Sequence, residues 1–331
     1  MSNQLSRGRL TTLLGEARGK RILVVGDAML DVYLTGDVER ISPEAPVPVV
    51  RVRERKFAMG GAANVAQNVV AIGARCDLVA AVGSDTGGET LRGMLAGTGG
   101  GDGSIVTVRR CTTQKTRILA RSQQLVRVDE EEDADLDGAD VDALLIRVRE
   151  AMGRADAVVL EDYNKGVLAP DVITETLRMA AERKLPVVVD PKFRNFFLYR
   201  GATVFKPNRR ELEAALGASV DVDHPETLPS TLERLGVQHI LLTLGDRGMA
   251  LFSTSGEVSR IPTVAREVYD VVGAGDTVTA YLATMLAAGG SVIEAATIAN
   301  VAAGIEVAKL GAATVSPEEL LAFADEHGHL N

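Results

Sequence analysis

The chain has 331 residues, 46% of them hydrophobic, with 36 Lys and Arg against 45 Asp and Glu and a formal charge of −9. That length and apolar content exclude global disorder and predict one large α/β domain with an insertion, or two domains. The acidic balance excludes a general affinity for nucleic acid or anionic membrane, so an anionic substrate must meet a local cluster of cations.

The first twenty residues lack the apolar core of a secretory signal, and the most membrane-like stretch, the uncharged residues 277–293, is too short to span a bilayer. A cytoplasmic protein is the expectation. Cys76 and Cys111 are the two cysteines; both are expected in ordinary interior positions, and neither has zinc-site spacing. GEARGKR (15–21) resembles a phosphate-binding P-loop, but its glycine spacing is one residue short. Arg21 also stands where a metal-binding hydroxyl belongs.

In chain order, RILVVG (21–26), DLVAAV (77–82), AVVLE (157–161), PVVVD (186–190) and HILLTL (239–244) read as strands. Helical periodicity covers residues 62–72, 141–152, 170–183, 209–216 and 275–288. Strands apolar on both faces and separated by helices predict a doubly wound, mostly parallel sheet between helices. Residues 36–56 and 105–129 break this rhythm with apolar/charged alternation, which predicts a small inserted β-sheet placed as a lid. The acidic run 129–142 reads as a solvated loop, and HGH at 327–329 as a frayed end.

Three segments carry the chemistry. In YDVVGAGDTV, small residues Gly273, Ala274 and Gly275 open a helix whose unpaired amides and positive dipole end suit a phosphate. Asp276 beside them can take a proton from a sugar hydroxyl, or merely cap the helix. In MGGAANVAQN, Gly60 and Gly61 admit a ligand close to the backbone, and Asn64 offers both a donor and an acceptor to hydroxyls; tight helix packing is the alternative use of such sequence. After the first strand come Asp27 and Asp31, carboxylates suited to hold hydroxyls where open α/β sheets bind ligands. Asp162, Asn208, Glu211, Thr243 and Gly245 follow later strands, and each alone is a weak signal.

Together and in this order, GG…N, KPNRRE, TLG and GAGD resemble the signatures of the ribokinase-like (PfkB) family of sugar kinases. Val271 stands where many members have Thr. Within the family, RISPEAPVPVV, SQQLVRVD and LEDYNKG are similar to the kinases of D-glycero-β-D-manno-heptose 7-phosphate, and the likeness covers residues 13–319. The resemblance implies one kinase domain over 13–325, in the stand-alone form without a nucleotidyltransferase domain. It implies transfer of the ATP γ-phosphate to the C1 hydroxyl, giving heptose 1,7-bisphosphate on the way to ADP-heptose and the lipopolysaccharide inner core.

Carried over residue by residue, Asp276 is the expected base, and Gly273, Ala274 and Gly275 the anion hole. Asp31, Gly60, Gly61 and Asn64 are expected on the sugar, with Asp27 and Asp162 beside them. Asn208, Arg209, Arg210, Glu211, Thr243, Gly245 and Asn300 are expected on ATP, with Mg²⁺ carried on the phosphates near Glu211 and a K⁺ site at Asp270. A dianionic 7-phosphate beside two carboxylates needs cations, and Lys115, Arg127, Lys192 and Arg40 are the candidates. A homodimer through the lid is implied, with no nucleic-acid or membrane partner. The alternatives are another sugar or sugar-phosphate kinase, such as a fructokinase-like member, and a non-catalytic sugar-phosphate sensor.

Overall fold

The computed structural model describes residues 5–98, 104–120, 123–222, 228–265, 269–309, 311 and 313–327. Thirteen strands occur among them: β1 (Arg21–Gly26), β2 (Ala28–Ile41), β3 (Pro48–Gly61), β4 (Arg75–Gly83), β5 (Ile105–Val108), β6 (Gln114–Ala120), β7 (Gln123–Glu130), β8 (Ala157–Glu161), β9 (Val187–Asp190), β10 (Val204–Phe205), β11 (His239–Thr243), β12 (Met249–Ser253) and β13 (Val258–Ile261). Nine form one sheet in the order β13-β12-β11-β10-β9-β8-β1-β4-β5, and β3-β2-β6-β7 form a second. The large sheet is parallel except for β12 and β13 at one edge.

The register explains the continuous apolar runs. Ile22 and Val24 of β1 face one core, made with helices Arg7–Ala17, Ala62–Ala71, Ala274–Ala287, Val292–Glu306 and Pro317–His327. Leu23 and Val25 face the other, made with helices Gly138–Met152, Pro170–Glu182, Arg209–Leu216 and Leu228–Leu235. Both faces are covered, so polar alternation has no place in these strands. Fully burying one such aliphatic side chain contributes about 1.5–3 kcal/mol.

Strand order reverses at β1, which pairs with β4 on one side and β8 on the other. A crevice opens beyond the carboxyl ends of the strands at such a point. The chain leaving β1 runs straight into the small sheet. There β2 and β3 pair antiparallel from Ala28↔Gly61 to Ile41↔Pro48, β6 runs parallel to β2, and β7 returns antiparallel to β6.

The lid is therefore larger than 36–56 on one side and smaller on the other. Its first hairpin spans 28–61, so Asp31 already lies on it. Residues 105–108 do not belong to it: β5 is an edge strand of the large sheet, parallel to β4 with Ala80↔Ile105 in register. The helix between them, Thr86–Gly97, contains four glycines, which disguise its periodicity and with it a βαβ unit. The glycine-rich stretch 99–103 and the tail 328–331 lie outside the described residues. Cys76 is buried, but Cys111 is exposed, contrary to expectation. Among the described residues no helix is long and apolar enough to cross a membrane.

Candidate active site

The helix Ala274–Ala287 starts at Gly273, whose φ of +96° is a left-handed conformation that glycine adopts without strain. Two cavities flank this turn. One of about 220 Å³ is lined by Met29, Asp31, Gly60, Gly61 and Asn64, by Lys115, Arg117 and Arg127 of the lid, and by Tyr163, Gly273 and Asp276. The other, about 440 Å³, is mostly apolar and includes Asn208, Thr243, Gly245, Ala274, Gly275 and Asn300. Residues from ten separated stretches of chain thus converge on one helix N-terminus, where the first amides and the dipole favour an anion.

The double glycine has a steric cause. A Cβ on Gly60 would stand 2.7 Å from Met29 Cγ and 2.9 Å from Asp31 Oδ2, and one on Gly61 would stand 2.4 Å from the Asp27 carbonyl oxygen. Gly61 also has φ +56°.

Asp276 is buried. Asn64 Nδ2 donates to its Oδ2 at 2.8 Å, and the Tyr163 hydroxyl donates to its Oδ1 at 2.9 Å. Burial pushes its carboxyl up to about 6, against the lowering effect of the Asn64 and Tyr163 donors. Asp276 is therefore ionised and able to accept a proton around neutral pH, and loses that ability as pH falls through about 6. The sequence did not single out Tyr163. Tyr163→Phe removes a donor that favours the ionised form, so the acid limb of kcat is expected to move to higher pH by about 1–2 units. A pH–rate profile checks this; an unmoved limb would separate Tyr163 from the protonation of Asp276.

Lys206, also missed, is buried and donates to Asp190 Oδ2 at 2.8 Å. Its Nζ stands 3.7 Å from where a Gly275 Cβ would be, which places the ammonium directly beneath the turn. On the lid, Arg117 Nη1 meets Asp31 Oδ1 at 2.5 Å and its guanidinium stacks 5.4 Å over the Tyr33 ring. Lys115 pairs with Glu131 at 2.9 Å, and Arg127 forks onto Asp129 at 2.8 and 2.9 Å.

Several expected ligands are placed elsewhere. Asp27 is buried and accepts the backbone amides of Tyr163, Lys165 and Val167, so it shapes the turn after β8 and does not line the smaller cavity. Asp162 accepts from the Tyr199 hydroxyl at 2.7 Å and the Asn164 amide, away from the cavity; burial raises its carboxyl to about 6. Lys192 does not line the smaller cavity. Its Nζ bonds Glu211 at 2.7 Å, stands 3.8 Å from Asp190 and lies 4.9 Å over the Tyr163 ring. Arg209 pairs with Glu213 at 2.9 Å, Arg210 is exposed, and neither lines the second cavity. Arg40 is exposed near the far end of β2. Asn208 and Glu211 form a reciprocal capping box, which is one reason for KPNRRE at that strand–helix junction. Asp270 accepts the amides of Val272 at 3.0 Å and Gly311 at 3.3 Å. Near it the buried Glu306, another residue the sequence reading missed, is raised to about 8 by burial and by the charge of Asp270.

A family model described as pfkB family carbohydrate kinase matches residues 20–319. The chain belongs to the PfkB family. It is therefore a member of a family of sugar phosphotransferases, and its two cavities flank one shared helix-opening turn. The chain is 47% identical over 305 residues to bifunctional protein HldE of Rhodospirillum rubrum, covering 91% of this chain and 62% of that protein. It is 43% identical to bifunctional protein HldE of Geobacter sulfurreducens, covering 98% and 67%. The chain thus spans about two thirds of the length of these curated relatives. The ribokinase-like fold is shared with Arabidopsis thaliana ribokinase complexed with ribose and ATP, at TM-score 0.72 and 21% identity over 92% of this chain and 98% of that one. Escherichia coli phosphofructokinase-2 in complex with potassium superposes with TM-score 0.75 and 18% identity, covering 92% and 99%.

Proposed function

We propose that this PfkB kinase transfers the γ-phosphate of ATP to the C1 hydroxyl of D-glycero-β-D-manno-heptose 7-phosphate. The product is heptose 1,7-bisphosphate, a precursor of ADP-heptose and the lipopolysaccharide inner core, made in the cytoplasm where ATP is available. One kinase domain over 13–325 carries the reaction. The observation that supports this reading best is the small cavity that joins Asp276 to three lid cations, Lys115, Arg117 and Arg127. A neutral sugar needs no such cluster; a sugar phosphate does.

In this reading Asp31 and Asn64 hold hydroxyls, and the lid cations hold the 7-phosphate. Asp276 takes the proton of the C1 hydroxyl as that oxygen attacks the γ-phosphorus and the bond to the departing ADP oxygen breaks. The first amides of the helix at Ala274 and Gly275, with Lys206 beneath them, stabilise charge on the transferring group. Lid strands over the sugar exclude water, which would otherwise be the acceptor. ATP occupies the second cavity, with Asn208, Thr243 and Gly245 toward its phosphates and Asn300 toward the base.

A divalent ion suits the site as a passenger on the phosphates. Glu211 is committed on both oxygens, Oε1 to Lys192 and Oε2 to the Asn208 amide at 2.8 Å, so it would reach Mg²⁺ through water. Bound there, Mg²⁺ supplies neutralisation of phosphate charge. A K⁺ ion beside the turn fits Asp270, whose charge faces the buried Glu306. The lid also exposes Ile41, Val47, Val52, Phe57, Val126 and Val128, an apolar surface that a second copy of the chain would cover. A dimer in sedimentation velocity supports that arrangement, and a monomer at all concentrations sinks it.

Incubating the chain with ATP and a panel of sugars with and without a terminal phosphate tests the function. ADP release is expected with heptose 7-phosphate and not with unphosphorylated hexoses. Preference for an unphosphorylated ketohexose would favour a fructokinase-like enzyme, and no turnover with any sugar a sensor.

A further inference from the structure

Glu161 ends β8 at the floor of the crevice and is fully buried. Among the described residues, neither of its carboxylate oxygens meets a hydrogen-bond donor. One oxygen each of Glu161, Asp190 and Asp276 lie within 4.8 Å of one another. The other two carboxylates are provided for: Asp190 has Lys206 at 2.8 Å and Lys192 at 3.8 Å, and Asp276 has Asn64 and Tyr163. Glu161 has the oxygens of Asp190 and Asp276 beside it, and the Lys206 and Lys192 charges act on it without a hydrogen bond. An uncompensated buried carboxylate costs several kcal/mol, whereas a neutral acid there can donate to Asp190.

We propose that Glu161 works as a neutral carboxylic acid that donates its proton to Asp190, keeping the charge beside the transfer site low enough for Asp276 to ionise. The groups that face it are Asp190 on β9, Lys192 just beyond it, Lys206 after β10, Asp276 on its helix and Tyr163 in the turn after β8. Burial, then the charges of Asp190 and Asp276, hold the Glu161 carboxyl well above the usual carboxylate range. Asp190 lies below that range despite its burial, drawn down by Lys206, Lys192 and the proton from Glu161. A divalent cation among the three carboxylates is the competing occupant, but the Lys206 ammonium already stands against one of them.

The consequence for catalysis rests on the kinase reading. When Glu161 ionises at alkaline pH, a new negative charge appears next to the incoming phosphates. The wild-type kcat/KM for ATP is then expected to fall about tenfold per pH unit. Glu161→Gln keeps the size, the neutrality and a donor to Asp190, so it should work at neutral pH and lose that alkaline fall. A residue that merely fills space would leave the two profiles parallel.

The direct test needs no turnover. In the full chain labelled with ¹³C at the glutamate carboxyl carbons, one resonance absent from Glu161→Gln is expected to keep the protonated-acid shift at neutral pH. Should Glu161→Gln not fold, Glu306→Gln leaves Glu161 as the one fully buried glutamate among the described residues, and the same resonance is read there. A carboxylate shift at neutral pH, or selective broadening of that resonance by Mn²⁺ alone, would overturn the proposal. Failure on any sugar while the resonance stays protonated would count against the kinase reading and leave the neutral Glu161 standing.

Discussion

Asp276→Asn is expected to lower kcat by about 10²–10⁴-fold, because general-base assistance contributes that much when the base is aligned with its proton. The substitution is nearly isosteric, and the amide oxygen still accepts from Asn64 or Tyr163, which now donate at 2.8 and 2.9 Å. The other donor then faces an NH₂ group, a loss of about 1–3 kcal/mol that leaves the fold intact. ATP affinity should hardly change, since the second cavity is lined by Ala274 and Gly275 and not by Asp276. The residual activity should also lose its acid limb near pH 6, because the group that titrates there is gone. Steady-state kinetics beside a thermal melt check this. A variant with more than half the wild-type kcat, or an unchanged acid limb, would remove Asp276 as the base.

Lys115→Ala is expected to raise KM for the sugar phosphate by about 10- to 150-fold, the equivalent of one charge-assisted hydrogen bond of about 1.5–3 kcal/mol. Its side chain is 15% exposed on the cavity side of β6, so the ammonium acts with little screening. Arg127→Ala should cost less, because that side chain is 50% exposed. Lys115→Met, which keeps the stem, separates lost charge from lost packing. KM for ATP should stay near its wild-type value in all three. The same variants should barely affect turnover of any sugar that lacks the terminal phosphate. An equal loss with both sugars would show that Lys115 serves the fold of the lid and not the phosphate.

Much of this site was legible in the sequence, and the reasons differ by element. GAG before an apolar run marks a helix opening that only small residues can form, and the structure places Gly273 there at positive φ. GG before ANVAQN is legible for the same reason, since the Gly60 and Gly61 positions leave no room for a Cβ. The turns after strands were harder. In LEDYNKG, Asp162 and Tyr163 are adjacent, yet one turns down to Tyr199 and the other forward to Asp276. Polarity favoured the carboxylate; only the register of β8 in the sheet decides which residue faces the crevice. The same ambiguity exchanged Lys192 for Lys206: both are lysines just beyond strands, but the first is held by Glu211 and the second by Asp190 under the turn.

On the lid, strand alternation carries the signal. Lys115 and Arg117 are two apart on β6 and so share a face, which makes Arg117 a partner of the expected Lys115. Its ion pair with Asp31 joins residues 86 positions apart and could not be read from local pattern. The buried network of Glu161, Asp190 and Lys206 was hidden for a similar reason. Each member ends or follows a strand that reads as uniformly apolar, and the strands become neighbours only in the β8-β9-β10 order.

A sugar phosphate held by the lid is expected to receive a second phosphoryl group on the oxygen activated by Asp276. Phosphorus NMR of a reaction containing ATP, Mg²⁺ and heptose 7-phosphate with ¹³C at C1 tests it most directly. A new phosphate resonance coupled to the labelled C1 is expected, growing in step with ADP, while the 7-phosphate signal persists. Release of inorganic phosphate in place of that resonance, or a new ester without coupling to C1, would contradict it.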